Sequence, residues 1–222
     1  MPIGIARLTR GEGEAAGLAA GPWRALFLWK GTLRLTGADG SVRTLSEGQA
    51  ADLDQGAWSL AGDAGSCWFL WEVAGADSDL PGPGNGTAIL ERYDMPLLPG
   101  EADAAGRDAV LRFERVDLNP GTATPRHTHK GSGLRVVISG RLDAEVGDWK
   151  RRLEPGDAWL EKGPGEPVLG QTHRTEPTSF VRLLVLPGDL AGQDSFMHLE
   201  EGARDRPRPA SYQRYFEKRV TL

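Results

Sequence analysis

Residues 119–142 read NPGTATPRHTHKGSGLRVVISGRL: a polar, turn-rich approach, two histidines one residue apart, and an apolar run closed by Gly140. A second run of this kind, WRALFLWKG, closes at Gly31. Beyond Gly31 the chain continues TLRLTGADGSVRTLSEGQA, and beyond Gly140 it continues RLDAEVGDWKRRLEPGDA. Each continuation reads as a strand, a polar turn, a second short strand and another turn, at Glu47-Gly48 or Pro155-Gly156. A third match pairs SCWFLWEVAG, ending at Gly75, with SFVRLLVLPG, ending at Gly188. The three offsets are 109, 108 and 113 residues in the same order along the chain, so the sequence contains two copies of one β unit.

Composition agrees with that reading. Thirty glycines and 15 prolines among 222 residues leave little room for long helices and suit short strands closed by turns. The expected division is residues 1–98 and 99–222, with the boundary within 95–105, a loop or linker over 77–87, and a helical turn or exposed loop over 101–109. Past Gly188 the Pro-rich stretch 206–209 leads to an apolar-aromatic piece, Tyr212 to Leu222, expected to return as a strand on an edge or a neighbouring subunit. A net charge of −5 argues against a general nucleic-acid binder. No stretch approaches 18 apolar residues and no leader-like apolar run opens the chain, which predicts a cytoplasmic protein without a membrane partner. The single cysteine, Cys67, excludes an internal disulfide and reads as a core residue.

All four histidines, His127, His129, His173 and His198, lie in the second copy. On a strand, residues i and i+2 share a face, so His127 and His129 both aim to one side, a common start for a divalent metal site. The segment resembles the first cupin motif: Gly, five residues, His-x-His, three or four residues, Glu, six residues, Gly. Here Gly121, TATPR, His127, Thr128, His129 and Gly140 keep the spacing, and Gly133 stands where the motif has Glu. LEPGDAWLEKGPGEPVLGQTH resembles the second motif, whose histidine would fall near Pro167 or Val168. The resemblance implies an all-β bicupin, two tandem double-stranded β-helix barrels of jelly-roll type. Carried back by the offset of 109, His-x-His becomes Leu18 and Ala20, so the first barrel is expected to lack metal ligands. That barrel then serves packing or dimerisation, or lines a pocket with some of its tryptophans.

The ligand shell of the second copy is open at this level. Glu161, Glu166, Gln171 and His173 could each complete it, and Glu166 and His173 stand with His127 and His129 as candidate ligands of iron, zinc, nickel or manganese. The alternative is a pair of hydrogen-bonded histidines with no metal. Arg135, two residues past Gly133, is expected to point inward, and an interior guanidinium must be paired. It either binds an anionic substrate or is satisfied by Glu161, Glu166 or Asp157; Arg135 and Glu161 are therefore the candidate catalytic residues. Arg126 and Lys130 could form a basic mouth, and His198 reads as a surface residue. Two functions stand side by side: a cupin-type metalloprotein acting on or binding a small, anionic organic molecule, with dioxygenase, isomerase or lyase chemistry; or a non-catalytic, sensory bicupin. A metal-free epimerase with a histidine base is a third. Edge strands or the C-terminal tail are the surfaces through which a homodimer would form.

Overall fold

The computed structural model describes residues 4–13, 15–75, 80–82, 86–95, 107–200 and 210–222. The expected boundary near 95–105, much of the 77–87 and 101–109 segments, and the 206–209 crossing fall outside these residues. Contacts group residues 1–95 and residues 96–221 into two compact units.

The first unit is built from β1 (Gly4–Glu12), β2 (Ala15–Leu18), β3 (Trp23–Lys30), β4 (Thr32–Gly37), β5 (Val42–Ser46), β6 (Ala50–Leu53), β7 (Trp58–Gly62), β8 (Cys67–Gly75) and β9 (Thr87–Met95). They form two antiparallel sheets, ordered β6-β3-β8-β1-β9 and β2-β7-β4-β5. Alternation is clearest in β4 and β7, where every second side chain is buried, as expected of strands with one face on a core. β3 and β8 are buried almost throughout, matching their continuous apolar runs.

The second unit repeats this order with β10 (Asp108–Leu118), β11 (His127–His129), β12 (Ser132–Ser139), β13 (Leu142–Val146), β14 (Trp149–Leu153), β15 (Ala158–Glu161), β16 (Val168–Thr172), β17 (Thr178–Pro187), β18 (Phe196–His198) and β19 (Ala210–Thr221). Its sheets run β15-β12-β17-β10-β19 and β14-β13-β16-β11-β18. Among the described residues the departure from the first unit is β18, which follows a 3-10 turn at Gly188–Leu190 and adds a strand beside β11. The expected C-terminal strand is β19, on the edge of its sheet.

Pairing registers align the units residue by residue. A bulge between Leu28 and Lys30 interrupts the β3–β8 ladder, and one between Val137 and Ser139 interrupts β12–β17 at the equivalent point. In this frame Leu26 opposite Leu70 corresponds to Arg135 opposite Arg182. Arg24 opposite Leu53 corresponds to Gly133 opposite Glu161, and Leu18 opposite Trp58 to His127 opposite Val168. Four buried leucines of the first unit, Leu18, Leu26, Leu53 and Leu70, therefore take the places of His127, Arg135, Glu161 and Arg182. All four leucines belong to one apolar cluster with Trp58 and Trp68. Burying each leucine contributes about 2 kcal/mol, so the first unit is stabilised by hydrophobic burial at positions where the second buries polar and charged side chains. Ala20, the counterpart of His129, is exposed.

Among the described residues no helix is long and apolar enough to cross a membrane.

Candidate metal centre

β11 is three residues long, and HTH is buried at all three positions. His127 and His129 share a face, their rings meeting edge to face with centroids 5.0 Å apart. Thr128 points the other way, where its hydroxyl donates to the Gly163 carbonyl at 2.8 Å. Ser132 at the start of β12 donates to the neighbouring Lys162 carbonyl, also at 2.8 Å. These two bonds tie the end of β15 to the histidine segment and set Glu161 opposite Gly133.

The backbones meet closely beside this tie. Gly163 has φ +103, and a Cβ built on it would lie 2.7 Å from the Gly131 carbonyl carbon. Gly163→Ala is therefore expected to cost about 2 kcal/mol or more through strain and collision, read as a lowered midpoint in thermal or urea unfolding. A midpoint equal to wild type would show that the loop yields.

His127, His129 and Glu161 each offer one ligating atom, and these atoms lie within 4.8 Å of one another. The three residues are 5%, 2% and 4% exposed. Nδ1 of His127 donates to the Pro125 carbonyl at 2.8 Å, leaving Nε2 with its lone pair. His129 Nε2 lies 3.2 Å from Glu161 Oε2, while its Nδ1 is buried without a hydrogen-bond partner. If Nε2 carries the proton, the Nδ1 lone pair is buried without a donor. If Nδ1 carries it, a donor is left unsatisfied and the Nε2 lone pair faces a carboxylate oxygen. Neither tautomer satisfies both ring nitrogens, and in the second Nε2 offers its lone pair beside the carboxylate, as a metal ligand would. Two imidazoles and a carboxylate are a sound donor set for a divalent transition metal.

Arg135 is fully buried, with Nη2 2.5 Å from Glu161 Oε2 and Nη1 donating to the Gly133 carbonyl at 2.6 Å. Trp159 Nε1 donates to the other carboxylate oxygen, Oε1, at 3.0 Å. A Cβ on Gly133 would lie 2.8 Å from Arg135 Nη1 and 2.6 Å from Leu184 Cδ2. The guanidinium thus fills the space that a motif Glu at position 133 would use, and the carboxylate near the histidines comes from β15 instead.

Burial pushes the His127 ring down to about 4 and the His129 ring down to about 3, against which the Glu161 carboxylate pulls only partway back. Burial alone would raise the Glu161 carboxyl. The charge of Arg135 and the contact with His129 outweigh it and hold Glu161 well below the usual carboxylate range. At neutral pH the centre is two neutral imidazoles and one carboxylate, the protonation states a metal needs.

A cavity of about 40 Å³, room for roughly three waters, opens beside the three donors. Arg135, Arg182, Thr124, Phe196 and Tyr212 line it together with apolar residues such as Val116, Leu142 and Val168. Arg182 is held by Glu114 Oε2 at 2.8 and 3.2 Å, with its guanidinium 5.6 Å from the Tyr212 ring centroid. Phe196 on β18 stacks on His127 at 4.1 Å and 11° and covers that side of the donors.

Of the residues singled out from sequence, His127, His129, Arg135 and Glu161 meet at this cavity. Glu166 and His173 stand outside it, for physical reasons. Glu166 Oε2 accepts from the Lys162 backbone N–H at 2.6 Å, closing a turn. His173, just past β16, is half-exposed, and its Nδ1 lies 3.3 Å from the Thr175 hydroxyl. Gln171 is exposed, and Val168 directly opposes His127, so β16 delivers no ligand. Arg126 reaches Glu145 at 3.5 Å on the surface. His198, expected on the surface, is half-buried on β18 opposite His127. Arg182 and Phe196 were not singled out from sequence. Arg182 left a signal, an isolated charge within the apolar run SFVRLLVLP; Phe196 left none, because β18 has no counterpart among the described residues of the first unit.

Residues 114–179 match the family model of the cupin domain. The second unit carries a cupin domain. Several solved structures are similar over most of the chain. AerE from Microcystis aeruginosa is 12% identical, with 82% of this chain and 87% of that one covered at a TM-score of 0.58. The cupin 2 conserved barrel domain protein from Leptotrichia buccalis is 13% identical, with 83% and 85% covered at a TM-score of 0.52. The oxalate decarboxylase of Bacillus subtilis, a protein with Mn(II) centres, is 14% identical, with 92% and 74% covered at a TM-score of 0.59. At such identities the likeness is one of fold alone, an all-β fold over most of the chain. No curated protein matches the chain at significance.

Proposed function

We propose that the second cupin unit holds a divalent transition metal through His127, His129 and Glu161 and takes a small anionic organic molecule into the cavity beside it. One observation carries the reading: three metal-competent side chains converge, buried, where the sister unit has leucine at two of the three positions. Burying such groups costs stability unless something is gained from them, and here the gain is ligand chemistry. Manganese, which the donor set suits along with iron, zinc and nickel, is also the metal of the Mn(II) protein whose fold is similar.

When bound, the metal would polarise an oxygen of the ligand or activate water or O₂. The chain's own residues supply the rest. The Pro125 carbonyl fixes the His127 tautomer, Phe196 shields the histidines from water on one side, and Arg135 and Arg182 present guanidinium groups to an anion. Oxygenase, isomerase and lyase chemistry are all consistent with this constellation. A metal-free anion-binding cupin is the second reading, favoured by the ion pair that already gives Glu161 a cation in Arg135.

Metal analysis separates the two. Tag-free protein supplemented with Fe(II), Mn(II), Zn(II) or Ni(II) and then desalted is expected to retain close to one equivalent of metal. His127→Ala/His129→Ala protein should retain at least tenfold less. Equally empty preparations would sink the metal reading and leave the anion-binding one.

A further inference from the structure

The buried charges around the cavity balance without a metal. Arg135 pairs with Glu161, and Arg182 pairs with Glu114. All four charged residues are at most 7% exposed. A divalent cation on His127, His129 and Glu161 would add two positive charges to this low-dielectric space. It would also draw on the same oxygen, Glu161 Oε2, that meets Arg135. Trp159 donates to the other carboxylate oxygen, so the metal and Arg135 would draw on one carboxylate whose second oxygen is already engaged. The Arg135 guanidinium, seated over Gly133, then faces the cavity with its carboxylate partner shared or lost. Glu114, the nearest further carboxylate in this row of the sheet, is already bonded to Arg182 and Arg214.

Building on the metal reading above, we infer that Arg135 makes metal and anion binding interdependent: it competes with the metal for Glu161, and a small carboxylate in the cavity takes over the guanidinium and releases Glu161 to the metal. The ligand class that fits is a planar anion of a few heavy atoms, because a guanidinium fork matches a carboxylate in two parallel hydrogen bonds and the cavity holds only about 40 Å³. The linkage is reciprocal, so the anion must bind more tightly to the metal-loaded protein by the same factor. The sequence feature behind the device is the exchange of the motif Glu for Gly133, which makes room for a cation where the family pattern has a ligand.

The test titrates Mn(II) calorimetrically into metal-free full-length protein. One arm contains acetate and the other an equal ionic strength of toluenesulfonate, which is too large for the cavity. Mn(II) is expected to bind about tenfold or more tightly in acetate, and acetate to gain the same factor when Mn(II) is present. Arg135→Gln should bind Mn(II) in toluenesulfonate at least tenfold more tightly than wild type, with the acetate effect reduced to within twofold. Wild-type protein that binds Mn(II) equally in both anions overturns the inference while leaving the metal reading intact. An acetate effect undiminished in Arg135→Gln also overturns it, since the anion would then act by ligating the metal. Failure to bind Mn(II), Fe(II), Zn(II) or Ni(II) in either medium removes both. The wild-type arms depend on no variant folding, and Arg135→Lys, which keeps the charge but not the fork, gives a second check: its acetate effect should fall below that of wild type.

Discussion

Glu161→Ala is expected to lower the unfolding free energy of the metal-free protein by about 3–5 kcal/mol, the cost of breaking a buried ion pair from one side. Arg135 has no exposure to water, and Glu161→Ala removes the carboxylate that faces its guanidinium. Trp159 Nε1 loses its acceptor as well, which adds to the penalty of an unsatisfied buried donor. Glu161→Gln should cost less, because the amide oxygen can still accept one of these bonds. The sister unit supplies the control. It carries Leu26 and Leu53 at the two equivalent positions, both fully buried in an apolar cluster. Arg135→Leu/Glu161→Leu, which copies that arrangement, is expected to lie within about 1 kcal/mol of wild type or above it, because apolar replacement of a whole buried pair is often neutral or stabilising. Urea unfolding of the four proteins checks the series. If Glu161→Ala costs under 1 kcal/mol, or the double variant is worse than the single, the pair does not hold the charge as described.

Lowering the pH should destabilise the metal-free protein over a window set by the histidines. The unfolded chain takes up protons on His127 and His129 near 6.5, whereas burial holds the folded rings down to about 4 and about 3. Between these values the unfolded state binds more protons, so stability is complete above pH 6.5 and is lost as the pH falls through 6.5 toward 4. For His127 alone the gap is worth about 3 kcal/mol. Glu161 acts in the same sense at lower pH, its carboxyl being held below its ordinary 4.5 chiefly by Arg135 against the opposing effect of burial. Urea midpoints measured from pH 7.5 to 4 should therefore fall steeply, and His127→Gln/His129→Gln should flatten the upper part of the profile, from 6.5 to 5. Equal slopes for the two proteins would mean that the rings are hydrated and titrate normally. Bound metal should shift the whole loss to lower pH, since it too requires neutral imidazoles.

Much of the architecture was legible in the residues. The apolar runs ending at Gly31 and Gly140 became β3 and β12, and those ending at Gly75 and Gly188 became β8 and β17, because short runs of large apolar residues between turn-forming glycines have few alternatives to strands. The repeat offset also carried His127 correctly onto Leu18, as the ladders show. The same period of two that put His127 and His129 on one face put Arg135 inside. The third donor was harder to read. Spacing drew attention to Glu166 and His173 because they lie near the place where the motif expects a histidine. Sequence distance says nothing about a turn that ties Glu166 to Lys162, or about β16 ending before His173. Glu161 was one candidate among several until the β12–β15 register set it opposite Gly133.

Sequence alone determined the all-β repeat, the location of the two histidines and the vacancy at position 133, because each follows from local pattern: periodicity, turn residues and spacing. Tertiary structure decided what fills that vacancy. Arg135 lies over Gly133, Glu161 arrives from a neighbouring strand, Arg182 from the strand on the other side, and Phe196 from β18 beside the histidine strand. Those neighbours are set by ladder register between segments up to about 70 residues apart in the chain, and pairings of that range leave no periodic trace in a single sequence.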